Sequence, residues 1–157
     1  ACAPTLSTSS AEMGRGGTSR TMKPNSILET ILYASNLDAA ENFYRDVLGL
    51  EPVSKMAERQ VFYRIGNQML LIFNPASTVL PPKDPKLPVP PHGMTGEGHV
   101  CFAASADEIV KWRAHLEAKG VAIEADFEWP GGGRSIYFRD PAGNAIEFAE
   151  PRIWGLT

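Results

Sequence analysis

The sequence predicts an α+β domain assembled from two copies of one strand–helix–strand module. Two observations carry this. A β-like stretch followed by an amphipathic helix occurs twice in the same order, and each half then runs into short strands with a Gly-Asn turn before the last of them. With 157 residues, 43% hydrophobic and 21% charged, the chain has globular composition and the size of one domain, so one core is expected.

The first strand is "ILETILYAS" from Ile27, in which Glu29 alternates in phase with Ile31 and Tyr33. The helix "NLDAAENFYRDVLGL" follows. Its Leu37, Ala40, Phe43, Tyr44, Val47 and Leu48 share one face, Asn36 or Asp38 can cap its start, and Gly49 ends it. "GNQMLLIF" from Gly66 closes the first half as a turn and strand. The second half opens with "HVCFAAS", where His99 is in phase with Cys101 and Ala103. It continues with "ADEIVKWRAHLEAKG", where Ile109, Trp112 and Leu116 lie at helical spacing and Gly120 closes the helix. It ends in "GNAIEFAEP", a strand that places Glu147 in phase with Ala145 and Ala149. An ionised carboxylate between bulky apolar neighbours is costly unless it is solvated, paired or metal-bound, so Glu147 asks for partners.

Aligning the halves supplies candidates. Glu29 falls on His99, with Ala34 on Ala104 and Ser35 on Ser105. Matching the two Gly-Asn turns then puts Leu70 on Glu147. Four equivalent strand positions therefore carry Glu29, Leu70, His99 and Glu147.

Between the halves, "NPASTVLPPKDPKLPVPPHGMTGEG" holds seven of the thirteen prolines and is expected to be extended and semi-rigid rather than helical. It reads as a plain connector; a lid with His92 reaching inward is the alternative. The opening "ACAPTLSTSSAEMGRGGTSRT" is poor fold material and lacks an apolar signal core, and its basic, nearly acid-free character is compatible with an organelle transit peptide. A flexible extension over residues 1–24, with translation starting at Met13 or Met22, is the preferred reading.

A net charge of −3, a pI of 5.6 and no run of Lys or Arg give no footprint for nucleic acid or an anionic membrane surface. No apolar stretch approaches the ~20 residues that span a bilayer. A soluble protein acting on a small molecule is expected. Two cysteines, Cys2 and Cys101, build no disulfide framework and suit the cytoplasm. Cys101 reads as a small buried hydrophobe rather than a nucleophile.

The succession of a strand, "NLDAAENFYRDVLGL", "GEGHVCF" and "YFRDPAGNAIEF" resembles the vicinal oxygen chelate superfamily, which includes glyoxalase I, fosfomycin-resistance proteins, extradiol dioxygenases and bleomycin-binding proteins. The resemblance spans roughly residues 27 to 151. It implies paired βαβββ modules whose curled mixed sheets surround a cavity, usually in a homodimer. The modules would be about 27–75 and 97–151, joined by the linker 76–96 within a domain of residues 25–157.

The resemblance also implies that Glu29, His99 and Glu147 ligate a divalent metal, with Leu70 leaving the fourth position open to water or a chelating substrate. Such an oxygen-rich set favours Mn, Fe(II), Zn or Mg. Tyr137 is implied as a residue acting on substrate, and Glu29 or Glu147 as the base of a metal-assisted proton transfer or nucleophilic addition, in a lyase, isomerase or dioxygenase-like enzyme. The chain departs from each better-known member. A ring-cleaving dioxygenase has His where Glu29 stands. A fosfomycin-resistance protein has Thr at Ile31. Glyoxalase I has Arg and Glu at Tyr33 and Leu70, although Asn74 is retained. The alternative is a metal-free protein of the bleomycin-resistance type that sequesters a ligand among Tyr33, Phe62, Tyr63, Phe73 and Trp129.

Overall fold

The computed structural model describes residues 22–157. Cys2 and nearly all of the expected extension 1–24 lie outside the described residues.

The first module runs β1 (Glu29–Tyr33), α1 (Leu37–Asp46), β2 (Pro52–Met56), β3 (Gln60–Ile65) and β4 (Gln68–Phe73). The second runs β5 (His99–Ala103), α3 (Ala106–Ala118), β6 (Ile123–Glu128), β7 (Arg134–Arg139) and β8 (Ala145–Ala149). Each forms its own four-stranded mixed sheet, ordered β1-β4-β3-β2 and β5-β8-β7-β6, with the first strand parallel to the last and the others antiparallel. The repeat extends to irregularities: the register shifts between Pro52 and Ser54 in one sheet and between Ile123 and Ala125 in the other.

The first helix starts at one of its two expected caps, and the second at a serine that the sequence reading did not single out as a cap. Asn36 accepts the amide of Ala39, and Ser105 closes a capping box with Glu108. Their apolar stripes cover one face of each sheet. Leu32, Val61, Tyr63, Leu70 and Ile72 pack beneath α1, and Ile136, Phe138, Ile146 and Phe148 beneath α3, in one continuous core. Trp112 stacks on Phe148 at 4.4 Å, and Phe43 of α1 leans on Phe138 of the other module at 6.3 Å. The opposite, helix-free face of each sheet carries the complementary set of alternating residues.

Three expectations are corrected here. Leu70 pairs with Thr30 and Tyr63 and is 2% exposed in the core, so it does not share the face of Glu29. The residue equivalent to Glu147 is Leu71: Leu71 pairs with Ile31 as Glu147 pairs with Cys101. The Gly-Asn turns mislead because Gly66-Asn67 is a two-residue hairpin with Gly66 at φ 57°, whereas β7 and β8 are joined across residues 140–144. Slipping a strand by one residue moves every side chain to the other face. Second, Tyr63 is fully buried beneath α1 and lines no ligand surface. Third, the proline-rich segment begins with one helical turn, α2 (Pro75–Thr78), because Asn74 caps the amide of Ala76 and Pro75 suits a first helical position. Beyond Thr78 it carries no regular structure up to β5.

Candidate metal and catalytic site

On the helix-free face of the second sheet, β5 supplies His99 and Cys101, β8 supplies Ala145, Glu147 and Ala149, and β7 supplies Ser135, Tyr137 and Arg139. Glu147 stands at the centre of this face, between Cys101 on β5 and Tyr137 on β7. Its residue is 5% exposed, yet the carboxylate is only partly satisfied: Oε2 lies 3.2 Å from His99 Nε2, while Oε1 is buried with no hydrogen-bond partner. Leaving a buried charged oxygen unpaired costs about 1–3 kcal/mol or more.

The histidine sharpens the point. His99 Nδ1 is 3.1 Å from the carbonyl of Ala145, to which it can only donate. A neutral ring would then turn the Nε2 lone pair toward Glu147 Oε2, and two lone pairs at that separation repel unless a cation lies between them. Either a proton or a metal ion answers that demand.

Tyr137 stacks beside His99 with ring centroids 6.1 Å apart and planes tilted by 20°. Burial, then the adjacent Glu147 carboxylate, pushes its phenol up to about 12, so it is a proton-bearing donor at neutral pH. Phe127 continues the row beyond Tyr137 at 6.0 Å, and Trp129 lies 4.9 Å from Phe127 and donates from Nε1 to Ser135 Oγ at 2.9 Å. Phe127 and Trp129 are each 39% exposed. The sequence reading missed Phe127; its phase with Ala125 across from Tyr137 was the available signal.

Cys101 is not the buried hydrophobe expected of it. It lies exposed on this face, and desolvation by its neighbours, followed by Glu147, pushes its thiol up to about 12, which keeps it protonated and unreactive. The structure therefore brings His99, Glu147 and Tyr137 together. Glu29 stands exposed at the start of β1, and among the described residues no three His, Cys, Asp or Glu side chains form a ready metal-binding group.

The aromatic residues named for a ligand pocket are divided between the sheets. Phe62 and Phe73 meet edge-on at 5.1 Å on the helix-free face of the first sheet. There His92 covers them, its ring 4.9 Å from Phe73 and its Nδ1 2.7 Å from the hydroxyl of Tyr33. The linker thus does reach inward at His92, onto the first module. Trp129 belongs to the second.

The sequence matches the family model described as Glyoxalase/Bleomycin resistance protein/Dioxygenase superfamily over residues 26–148. Among solved structures, a lactoylglutathione lyase from Agrobacterium tumefaciens is 45% identical with a TM-score of 0.79, over 86% of this chain and 100% of that one. An integron cassette protein of V. cholerae is 26% identical with a TM-score of 0.62, over 83% of this chain and 98% of that one. A glyoxalase/bleomycin resistance protein/dioxygenase from Nocardioides, 22% identical with a TM-score of 0.66 over 83% and 86% of the two chains, shares the fold. No curated protein matches the sequence. No helix among the described residues is long and apolar enough to cross a membrane.

Proposed function

Because this chain belongs to the glyoxalase/bleomycin resistance protein/dioxygenase superfamily, we propose that it is a divalent-metal-dependent enzyme acting on a small substrate that chelates through neighbouring oxygens. The observation that carries this reading is the His99–Glu147 pair, 3.2 Å apart with one carboxylate oxygen orphaned. His99 and Glu147 would hold the ion, with Glu29 as the third ligand. When bound, a divalent ion supplies Lewis-acid polarisation of the substrate's oxygens.

The protein's own groups divide the remaining work. Glu29 or Glu147, partly released from the ion, would accept a proton from a hydroxyl-bearing carbon of the substrate and return it to the adjacent carbonyl carbon, the hydroxyl proton passing from one oxygen to the other, so that the net change is an isomerisation. Tyr137, kept protonated, donates a hydrogen bond to the oxygen on which negative charge grows. The row of Tyr137, Phe127 and Trp129 gives the substrate's apolar part a dry surface. The relative from Agrobacterium tumefaciens bears a lyase's name, which supports proton-transfer chemistry over oxygen insertion. A homodimer in the cytoplasm is the setting proposed for this activity; sedimentation of the purified protein tests the dimer.

His99→Ala is expected to remove most bound Mn(II), measured by elemental analysis and titration, without unfolding the protein, since both core faces are left intact. Stoichiometric metal in that variant would refute the ligand assignment. A second reading, a metal-free protein that sequesters an aromatic ligand, is favoured by the lack of a preassembled three-ligand group among the described residues. Protein purified without chelator and found free of metal decides for it.

A further inference from the structure

The two sheets share no hydrogen-bond ladder. β1 pairs only with β4, and β5 only with β8, so the strands that carry Glu29 and His99 are placed relative to one another by other means. Apolar packing between modules is non-directional and tolerates sliding. A directional tie exists at one buried amide.

Asn144 is fully buried, and with it Asp140 (4% exposed) and Tyr44 (0%). Its Nδ2 donates to the carbonyl of Tyr33 at 3.1 Å and to Asp140 Oδ2 at 2.8 Å, and its Oδ1 accepts the amide of Gly98 at 2.8 Å. Asp140 Oδ2 also accepts the Tyr44 hydroxyl of α1 at 3.0 Å, and Asp140 Oδ1 accepts the backbone amides of Ala142 and Asn144, each at 2.9 Å. Burial and then the Asp140 charge hold the Tyr44 phenol far above its usual range, so it remains the donor.

The positions give this knot its meaning. Tyr33 ends β1, the strand that begins with Glu29. Gly98 immediately precedes His99 on β5. Asn144 itself immediately precedes β8, three residues before Glu147. One side chain thus ties the end of β1 to the starts of β5 and β8, beside His99 and three residues before Glu147, while Glu29 lies at the far end of β1, about 13 Å along the strand. Gly98 shows how close the approach is: a Cβ there would lie 2.8 Å from Asn144 Oδ1 and 2.9 Å from Leu32 Cδ2, so a larger residue would have to displace one of these side chains. A separate polar tie, His115 Nε2 donating to the carbonyl of Val47 at 2.8 Å, joins the helices and none of the site strands.

We propose that Asn144 is a positioning residue that fixes β1, β5 and β8 relative to one another, so that its loss weakens metal binding while every ligand remains. The proposal rests on the metal-site reading of Glu29, His99 and Glu147 given above. Tyr44 acts through it, by orienting Asp140.

The test compares Asn144→Ala and Tyr44→Phe with Leu116→Ala, a core truncation on α3 outside the Asn144 cluster, each at a temperature where circular dichroism shows it folded. Mn(II) titration is expected to show affinity lowered about tenfold or more in Asn144→Ala, as for groups that orient metal ligands, and about two- to fivefold in Tyr44→Phe. Leu116→Ala should bind Mn(II) like the parent even though its melting temperature falls. A second arm needs no metal. Nitroxides on Glu51→Cys and Glu117→Cys, with Cys2→Ser and Cys101→Ser, report the distance between modules by pulsed electron resonance. Asn144→Ala should broaden that distance distribution and Leu116→Ala should not.

Parent-like affinity and an unchanged distribution in Asn144→Ala overturn the proposal, as does equal loss in Leu116→Ala. If the parent protein binds no Mn(II), Fe(II), Zn(II) or Mg(II), the metal reading falls and the distance arm alone decides on the positioning role. If Asn144→Ala does not fold, Tyr44→Phe, which deletes one hydroxyl, decides by the same two readouts.

Discussion

On the helix-free face of the first sheet stand Ile31, Tyr33, Phe62, Leu71 and Phe73; at the matching positions of the second stand Cys101, Ala103, Tyr137, Glu147 and Ala149. Beneath the helices the same comparison gives Leu32 with Phe102, Val61 with Ile136, Leu70 with Ile146 and Ile72 with Phe148, apolar throughout. The two copies are held alike where they must exclude water and have diverged where they need not. One helix-free face became bulky, aromatic and covered by His92. The other became small, open and centred on a carboxylate. The site proposed above sits on the face that no helix covers.

The sharpest way to break this comparison is to place a carboxylate at each of two adjacent residues. Leu70→Glu buries an unpaired charge beneath α1 and is expected to cost about 4 kcal/mol or more, with no rescue by Mn(II), as read from urea melts. Leu71→Glu puts the same group on the face and at the position matching Glu147, at an expected cost of about 1–3 kcal/mol. Added Mn(II) should raise the melting temperature of Leu71→Glu more than that of the parent. If the two variants are equally damaged, the register that separates the faces has been misassigned.

That pair of residues also marks how far the sequence can be read. Alternation within a single strand is local, so Glu147 with Ala145 and Ala149, and His99 with Cys101, were legible from "GNAIEFAEP" and "HVCFAAS" alone. Comparing strands across modules required knowing how each turn is built, and two Gly-Asn dipeptides in turns of different length do not show that. In "QVFYRI" adjacent aromatics, Phe62 and Tyr63, hide which one faces the core. Asp140 and Asn144 read as ordinary turn residues, because burial of a polar side chain depends on what the rest of the chain brings to it. His92 carries no motif, and its contact with Tyr33 and Phe73 is a product of the linker's path.

Tyr63 offers a smaller test within the core. Its hydroxyl is buried with no hydrogen-bond partner, and burial holds the phenol well above its usual range. The matching residue of the second module is Phe138, which has no such hydroxyl to satisfy. Tyr63→Phe makes the copies alike and should stabilise the protein by about 1 kcal/mol, since the unpaired group goes and the ring stays. Lower stability in thermal or urea unfolding would show that the hydroxyl has a partner, such as a bound water.

The smallest effect expected comes from the position next to the bulge, where the modules pin their helices with opposite charge. Lys55 of β2 reaches Asp38 at 3.2 Å and Glu41 at 2.5 Å on α1, while the matching Asp126 of β6 pairs with Arg113 of α3 and, at 2.7 Å, with Arg134. The Arg134 hydrogen bonds, followed by that of Arg113, hold the Asp126 carboxyl below its ordinary value, against an opposing contribution from burial. A depressed carboxyl contributes stability that is fully present above the unfolded value of about 3.9 and is lost as pH falls through the folded one. Asp126→Asn should therefore cost about 1 kcal/mol at neutral pH, the upper end for a largely solvent-screened pair, and the difference from the parent should close below about pH 4. Lys55 is raised, chiefly by its hydrogen bonds to Glu41 and Asp38, so its contribution runs the other way: present below about 10.4 and lost as pH rises through the folded value. Urea melts of Asp126→Asn and Lys55→Met from pH 3 to 11 should thus converge on the parent from opposite ends. Convergence of both at the same end would mean that these charges do not pin the helices as mirror-signed pairs.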